Sequence, residues 1–149
     1  MPKAENSSYR EVIDGFTKKY RQRAVTAEDG VEPEELGIVE AALGITLPAS
    51  LRYYYERLGH CAELNQALNI ICSPNDLDID DGYLMIMEDH QESFSWGIKI
   101  SDLGEPDPIV WQRNNTPPVE WYSEERSFSA LMTSMFDYYL ESGVWEDDE

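Results

Sequence analysis

The segment 76–88, with the sequence DLDIDDGYLMIME, has acidic residues at a spacing close to that of a calcium-binding loop. An EF-hand loop alternates acidic side chains, turns at a glycine and closes with a glutamate, because Ca²⁺ prefers many oxygen ligands. The alternating aspartates and the closing glutamate are Asp76, Asp78, Asp80 and Glu88. However, Asp81 is an extra residue that moves Gly82 out of register. A strand from Gly82 onward would also carry Glu88 ~20 Å from Asp80, at ~3.3 Å per residue. We therefore expect an acidic loop between strands, with calcium binding as an alternative.

The histidines and cysteines give little basis for catalysis. His90 lies between Glu88 and Glu92, but no HExxH motif or second histidine nearby completes a metal site. His60 precedes Cys61, yet sequence neighbours in a loop rarely have the geometry that a general base needs. The sequence has no GxSxG, Walker or GxGxxG motif. We therefore expect a protein that is not an enzyme and that binds no metal or other cofactor.

The charge is the strongest global feature of the chain. Thirty acidic and eleven basic residues give 149 residues a net charge of −19, and no Lys or Arg occurs between Arg57 and Lys99. Such a field repels phosphate backbones, so we expect no nucleic-acid partner. It attracts a basic protein and speeds its association. The alternative is that the acidity only keeps the protein soluble.

Hydropathy predicts the compartment. The first residues, MPKAENSSYREV, have no apolar h-region of a signal peptide. No apolar run approaches the ~20 residues that a membrane-spanning helix needs. The two cysteines fit neither a disulfide framework nor a CxxC zinc motif. We therefore expect a cytoplasmic protein without a membrane partner.

Hydrophobic periodicity predicts helices at both ends of the chain and strands between them. The predicted helices cover 8–23, 33–43, 48–58 and 127–142, and the predicted strands cover 68–72, 83–87, 94–100, 109–112 and 119–122. Gly44 and Gly59 end two of the helices, and Ser127 is a candidate N-cap of the last one. This order is typical of an α+β fold, with a mostly antiparallel sheet of about five or six strands and flanking helices packed on one face.

The aromatic residues are candidates for the core. Tyr54 and Tyr55 match the apolar stripe of their helix, which leaves Tyr53 to the surface or to a neighbouring element. We expect at least two of the three strand tryptophans to pack in the core. These tryptophans are Trp96, Trp111 and Trp121. The residues that we expect to hold the fold are Leu47, Pro48, Leu51, Trp96, Gly97 and Phe136.

Three segments, in this order, carry a resemblance to a known family. IVEAALGITLPASLRYYYERLG combines an amphipathic helix, a Leu-Gly stop, a Leu-Pro start and an aromatic-rich second helix that ends in Gly. YLMIMEDHQESFSWGI has the form of a hairpin whose acidic turn leads to Trp-Gly. EPDPIVW and VEWY then precede a helix rich in Phe and Leu. Over residues 32–142 the chain resembles the SUKH superfamily, which is named for fungal glucan-synthesis regulators and their bacterial relatives.

The resemblance implies a SUKH-like domain with a non-catalytic role. Bacterial members are mostly immunity proteins that bind and neutralise toxin domains, whereas fungal members are interaction hubs in cell-wall synthesis and signalling. The resemblance therefore implies a cognate toxin as partner, such as a basic nuclease or deaminase. A regulatory or scaffolding role with another basic protein is the alternative. The domain would span 32–142, after an N-terminal helix and connection over 1–31 and before an acidic tail over 143–149, and would be monomeric when free.

The acidic residues around the predicted hairpins are the candidate partner-binding surface. They are Asp76, Asp78, Asp80, Asp81, Glu88, Asp89 and Glu92. They lie in the part of the chain without Lys or Arg, inside a region that resembles proteins which act by binding. The alternative is a solvated face without a partner, since runs of charge are often only solvated. Trp145, in the acidic tail, could dock on the domain or serve as a partner anchor.

Overall fold

The computed structural model describes residues 9–15, 18, 26–61, 65 and 69–141, with the side chains of the last helix described to residue 138. The rest of the predicted N-terminal helix, the start of the strand predicted at 68–72, and the acidic tail with Trp145 lie outside the described residues. The α-helices are α1 (residues 9–15), α2 (Pro33–Leu43), α3 (Ala49–Leu58) and α4 (Phe128–Glu141). Single 3₁₀ turns cover Ala27–Asp29, Pro74–Asp76 and Ile100–Asp102.

The described strands form one antiparallel sheet, and the fold is α+β as the periodicity predicted. The strands are β1 (Ile70–Ile71), β2 (Asp78–Asp80), β3 (Tyr83–Glu88), β4 (Phe94–Lys99), β5 (Ile109–Asn114) and β6 (Glu120–Ser127). Their order is β1-β3-β4-β5-β6, and β2 pairs with the same edge of β3 as β1 does. Consecutive strands from β2 to β6 are therefore neighbours, joined by short connections.

Helix α2 begins and ends where the sequence predicted. Pro33 occupies the first turn, where its missing N–H costs no helical hydrogen bond. Gly44 follows the last turn at a φ of 71°, a left-handed conformation that glycine adopts without strain. Its N–H donates to the carbonyl oxygen of Glu40 at 2.8 Å. Leu36 and Val39 are buried, so one stripe of the helix packs on the core.

Helix α3 supplies the centre of the core. Leu51, Tyr54 and Tyr55 are completely buried, which confirms that the two tyrosines face inward. Tyr53 is half-buried, and its hydroxyl donates to the carboxylate of Asp14 in α1 at 2.9 Å. The third tyrosine therefore links α3 to a neighbouring helix, which is the second of the two alternatives that its position off the stripe left open.

One hydrophobic cluster joins the helices to the sheet. Tyr9 and Ile13 of α1 belong to this cluster, so the N-terminal helix packs on the same core as the rest of the chain.

The hydroxyl of Ser127 accepts the N–H of Ala130 at 3.3 Å, as expected of an N-cap of α4. The six residues that were expected to hold the fold are all buried: Leu47, Pro48, Leu51, Trp96, Gly97 and Phe136. Among the described residues, no helix is both long and apolar enough to cross a membrane.

The sequence missed strand β2, because an acidic loop was expected there. All three residues of β2 are exposed, so the segment lacks the buried alternate positions that reveal a strand in a sequence. The strand forms because Asp81 and Gly82 both take positive φ angles, 59° and 82°, and make a two-residue hairpin turn into β3. The extra aspartate of the calcium-like pattern is therefore a turn residue.

Candidate functional site

The strand register assigns side chains to the two faces of the sheet, because residues directly opposite each other on paired strands share a face. One row across the sheet consists of Asp78, Met85, Gly97, Trp111 and Ser123. A second row consists of Ile70, Glu88, Ser95, Arg113 and Trp121. Leu84 and Ile98 alternate with these rows and are completely buried in the core with the helices. The two rows therefore lie on the other face, which we call the open face.

A cavity of about 470 Å³ lies on the open face. β1 ends opposite Met87 and β2 begins opposite Met85, so the chain between them leaves the edge of β3 and lines the cavity there. Its charged lining residues are Asp76, Asp78, Asp80, Glu88 and Arg113. With four carboxylates and one guanidinium, this acid-lined cavity has a negative potential that its concave shape concentrates.

The structure brings four of the seven predicted partner-binding residues to this cavity: Asp76, Asp78, Asp80 and Glu88. Asp81 lies at the adjacent β2–β3 turn. Asp89 and Glu92 lie apart from the cavity lining, in the β3–β4 turn, where Glu92 takes a positive φ of 61°. The predicted surface therefore divides into a cavity and a neighbouring hairpin turn.

Several of these carboxylates already have protein partners. Asp80 Oδ2 lies 3.0 Å from Arg113 Nη1, and Asp81 Oδ2 accepts the indole N–H of Trp121 at 2.8 Å. Asp76 accepts a hydrogen bond from the Ser73 hydroxyl at 3.0 Å. Asp89 accepts the backbone N–H groups of Ser93 and Phe94, which closes the β3–β4 turn. These four acids thus stabilise the local structure.

Asp78 and Glu88 are different. Within the described residues, neither carboxylate has a side-chain hydrogen bond or an ion pair, although both line the cavity. Asp78 is exposed and Glu88 is half-buried. The cavity therefore has two carboxylates that form no ion pair with any described residue, next to Asp80, which is paired with Arg113.

A row of aromatic rings lies on the open face outside the cavity lining, and we call Trp111, Tyr83 and Trp121 the aromatic ladder. The rings of Tyr83 and Trp121 are stacked, with centroids 3.5 Å apart and planes 9° apart. Trp111 meets Tyr83 edge-on at 6.3 Å. Lys99 lies 4.2 Å from the centroid of Trp111, and the Arg113 guanidinium lies 5.5 Å from that of Trp121. Cations thus cover both ends of the ladder.

The expectation that at least two strand tryptophans pack in the core was wrong. Trp96 is buried, but Trp111 and Trp121 are half-buried on the open face. The alternation along β5 could have shown this, because Val110 faces the core and its neighbour Trp111 must then face the other way.

Within the aromatic ladder, burial raises the pKa of the Tyr83 phenol, and the nearby charge of Asp81 raises it further.

The structure gives the histidines and cysteines no shared site. Cys61 is completely buried, and His60 is exposed with Nε2 3.7 Å from Glu35 Oε1. Cys72 lines the acid-lined cavity, where burial, then Glu88 and Asp76, raise the pKa of its thiol from 9.0 to about 11. Such a thiol is protonated at neutral pH and is a poor nucleophile.

The calcium-like segment has the geometry of a hairpin. β2 and β3 pair directly, and Glu88 lies at the far end of β3 from the turn. In an EF-hand the closing glutamate returns to the same ion as the aspartates, which an extended strand prevents. In the described part of the chain, no group of three or more His, Cys, Asp and Glu side chains has an arrangement that could hold a metal ion.

A scan against protein-family models matched no family, and a search of curated proteins found no match.

Proposed function

We propose that this chain is a non-catalytic protein-binding domain that binds a basic protein through the open face of its sheet. The observation that carries the proposal is the acid-lined cavity, in which Asp78 and Glu88 have no partner among the described residues. An unneutralised carboxylate is attracted to cationic side chains, and the net charge of −19 extends that attraction beyond the contact. The same field disfavours nucleic acids and other phosphate-rich partners.

Within that function, we propose a cytoplasmic immunity protein of the SUKH type, monomeric when free, that neutralises a cognate toxin. The support is the order of SUKH-like segments over residues 32–142, together with an antiparallel sheet that has its helices on one face. A toxin that acts on nucleic acid needs a basic cleft to hold phosphates. An acidic protein seated in that cleft would block it, and electrostatic attraction would speed the encounter.

The experiment starts with the host cell. The tagged chain captures its partner, the partner is identified and purified, and association is measured by stopped flow at low and high salt. We expect a basic partner whose association slows as salt rises, because exposed charges are screened over ~8 Å at physiological ionic strength. The proposal would be overturned if no specific partner is captured, or if the association rate of the captured partner does not change with salt concentration.

A growth assay then separates the two candidate roles. If the partner expressed alone stops growth and coexpression with this chain restores it, the chain is an immunity protein. If the partner is harmless alone but binds with the same salt dependence, the role is regulatory or scaffolding. The double variant Asp78→Asn/Glu88→Gln should slow association in either case. Glu34→Gln/Glu105→Gln removes the same charge from two exposed positions outside the acid-lined cavity and is the matched control.

A further inference from the structure

We propose that a second cavity, bordered by the helices, binds a small molecule that has an apolar body and one carboxylate. This helix-side cavity has a volume of about 730 Å³ and lies between α1, the α2–α3 connection, the start of α3 and the β4–β5 connection. Its described lining has no residue in common with that of the acid-lined cavity. The inference is therefore independent of the proposed function, which concerns the open face of the sheet.

The lining of the helix-side cavity is mainly apolar. Its larger hydrophobic side chains are Tyr9, Ile45, Leu47, Ile100, Leu103 and Pro106. Ile45, Ala49 and Ile100 pack on the core but are only partly buried, so the hydrophobic core is open to solvent here. Ligand pockets of roughly 300–1,000 Å³ typically combine such a lining with a few polar groups. Each methylene group of a ligand that leaves water in this cavity should tighten binding about fourfold.

Hydrogen bonds hold the walls of the cavity in place. The backbone N–H of Ser50 donates to the carbonyl oxygen of Pro106 at 2.7 Å, which joins α3 to the β4–β5 connection. The N–H of Leu47 donates to Glu40 Oε2 at 2.8 Å, and Glu40 Oε1 lies 3.0 Å from Arg52 Nη1. The same glutamate thus joins the α2–α3 connection to α3. A cavity whose walls are already ordered loses little conformational entropy when a ligand binds.

Arg10 is the cationic group that we assign to the carboxylate. It lines the cavity, its side chain is exposed, and it forms no ion pair with any described residue. Its Cζ lies 5.9 Å from the centroid of the Tyr9 ring and 5.2 Å from that of Tyr53. The two rings meet edge-on with their centroids 6.1 Å apart. Aromatic rings attract a guanidinium but do not neutralise its charge, so Arg10 is positioned and still able to bind an anion.

The other charges of the lining favour a ligand with one negative charge. Arg52 is already paired with Glu40 at 3.0 Å and with Glu56 at 3.3 Å. Glu105 adds a carboxylate to the described lining, which leaves Arg10 as its cation without an ion pair. A doubly charged phosphate would be repelled more strongly by the net charge of −19. A monocarboxylate is repelled less and forms charge-assisted hydrogen bonds with the guanidinium, while its apolar body is buried in the cavity.

The test uses the ¹⁵N-labelled full chain and fatty acids at concentrations below micelle formation. Hexanoate, octanoate and decanoate are titrated while amide chemical shifts are followed, with neutral octanamide and cationic octylamine as comparison probes. We expect shifts at the amides of Leu47, Ile100 and Leu103, and an affinity that rises about fourfold per added methylene group. Octanoate should bind about three- to fivefold tighter than octanamide, because it adds one partly exposed ion pair. Octylamine should shift these amides least.

Two variants with the same change in charge test the role of Arg10. Arg10→Gln should weaken octanoate binding about three- to fivefold and leave octanamide binding unchanged. Arg126→Gln is the matched control, because Arg126 is exposed and lies outside the described linings of both cavities. It should leave the binding of both probes unchanged. Equal octanoate affinity in the wild type and Arg10→Gln would overturn the inference.

A second pair of variants tests the apolar lining. Ile45→Ser removes apolar surface from the cavity and should weaken octanoate and octanamide alike, by about three- to tenfold. Ile38→Ser makes the same change at a side chain that is 70% exposed and outside the cavity lining, and should have no effect. The inference fails if both variants weaken binding equally, if the shifts lie elsewhere, or if affinity does not rise with chain length. If Ile45→Ser does not fold, the two arginine variants still decide the question.

Discussion

The indole Nε1 of Trp96 donates a hydrogen bond of 2.7 Å to Glu124 Oε2, which links β4 to β6 across the intervening strand β5. Trp96 is only 8% exposed and belongs to the core cluster. The side chain therefore contributes both apolar packing and a charge-assisted hydrogen bond, which is stronger than a bond between neutral groups.

We expect Trp96→Ala to lower the free energy of unfolding by ~3–5 kcal/mol, because it leaves a cavity in the core and removes the hydrogen bond to Glu124. Trp96→Phe retains most of the apolar packing and should cost less. Urea unfolding of the wild type and both variants measures the difference. Glu124→Gln, which keeps an acceptor oxygen, should cost under about 1 kcal/mol. A cost below about 1 kcal/mol for Trp96→Ala would contradict the assigned packing.

Gly97 should not tolerate a side chain, because the neighbouring strand lies too close. A Cβ atom at this position would lie 3.0 Å from the Cβ of Tyr83 and 3.1 Å from the carbonyl oxygen of Leu84. We expect Gly97→Ala to destabilise the protein by ~1–3 kcal/mol in thermal or urea unfolding. At Gly104, nothing lies within 4 Å of an added Cβ. Gly104→Ala is thus the matched control, and an equal effect of both variants would refute the steric explanation.

Cys72 should react slowly with alkylating reagents in the folded protein. Its pKa of about 11, against 9.0 for an ordinary thiol, makes the thiolate about a hundredfold rarer at pH 8. Mass spectrometry of the Cys72 peptide after iodoacetamide treatment measures the rate. Glu88→Gln should speed the reaction, because Glu88 helps to raise this pKa. Glu34→Gln should not, and equal rates in the wild type and Glu88→Gln would count against the electrostatic contribution.

The same pKa shift links stability to alkaline pH. The folded state raises the pKa of the Cys72 thiol and therefore favours its protonated form. The contribution of Cys72 to the free energy of unfolding is thus fully present below pH 9 and is lost as pH rises through about 11. The difference in unfolding free energy between the wild type and Cys72→Ala should therefore shrink between pH 9 and 11. A difference that stays constant over this window would show that the thiol titrates normally in the folded protein.

Calcium at millimolar concentration should leave the melting temperature unchanged, because no group of three or more acidic, His or Cys side chains among the described residues has an arrangement that could hold a metal ion. A ligand at a hundred times its Kd stabilises the folded state by ~2.7 kcal/mol, which a thermal scan detects easily. Magnesium serves as the control for ionic strength. A thermal shift that calcium causes, magnesium does not and a chelator reverses would revive the calcium alternative.

The sequence predicted the elements whose signals are local. Pro33 and Gly44 set the limits of α2 through backbone chemistry, and the hydrophobic periodicity of residues 94–100 predicted β4. It missed β2, because a strand with every residue exposed carries no hydrophobic alternation. Hydrophobic periodicity in a sequence reflects which side chains are buried. It therefore cannot reveal a fully exposed strand that is stabilised by backbone hydrogen bonds and a turn.

The candidate site was only partly predictable for a different reason. The acidic residues are evident in the sequence, but their pairing is not: Asp80 and Arg113 are 33 residues apart, and Asp81 and Trp121 are 40 apart. These contacts require the strand order, which places β2, β3, β4, β5 and β6 in one sheet. The sequence therefore predicted where the acidic residues lie along the chain. Only the strand order shows which of them are paired and that Asp78 and Glu88 have no partner among the described residues.

The two edges of the sheet determine how another chain can approach it. One edge is divided between β1 and β2, of two and three residues, and β2 carries a carboxylate at each end. The other edge, β6, has an irregular register near its end, where Glu125 takes a positive φ of 59°. Short, charged and irregular edges disfavour the addition of a foreign strand. The described edges therefore disfavour pairing with the backbone of another chain, which leaves side chains as the means by which the proposed partner would be recognised.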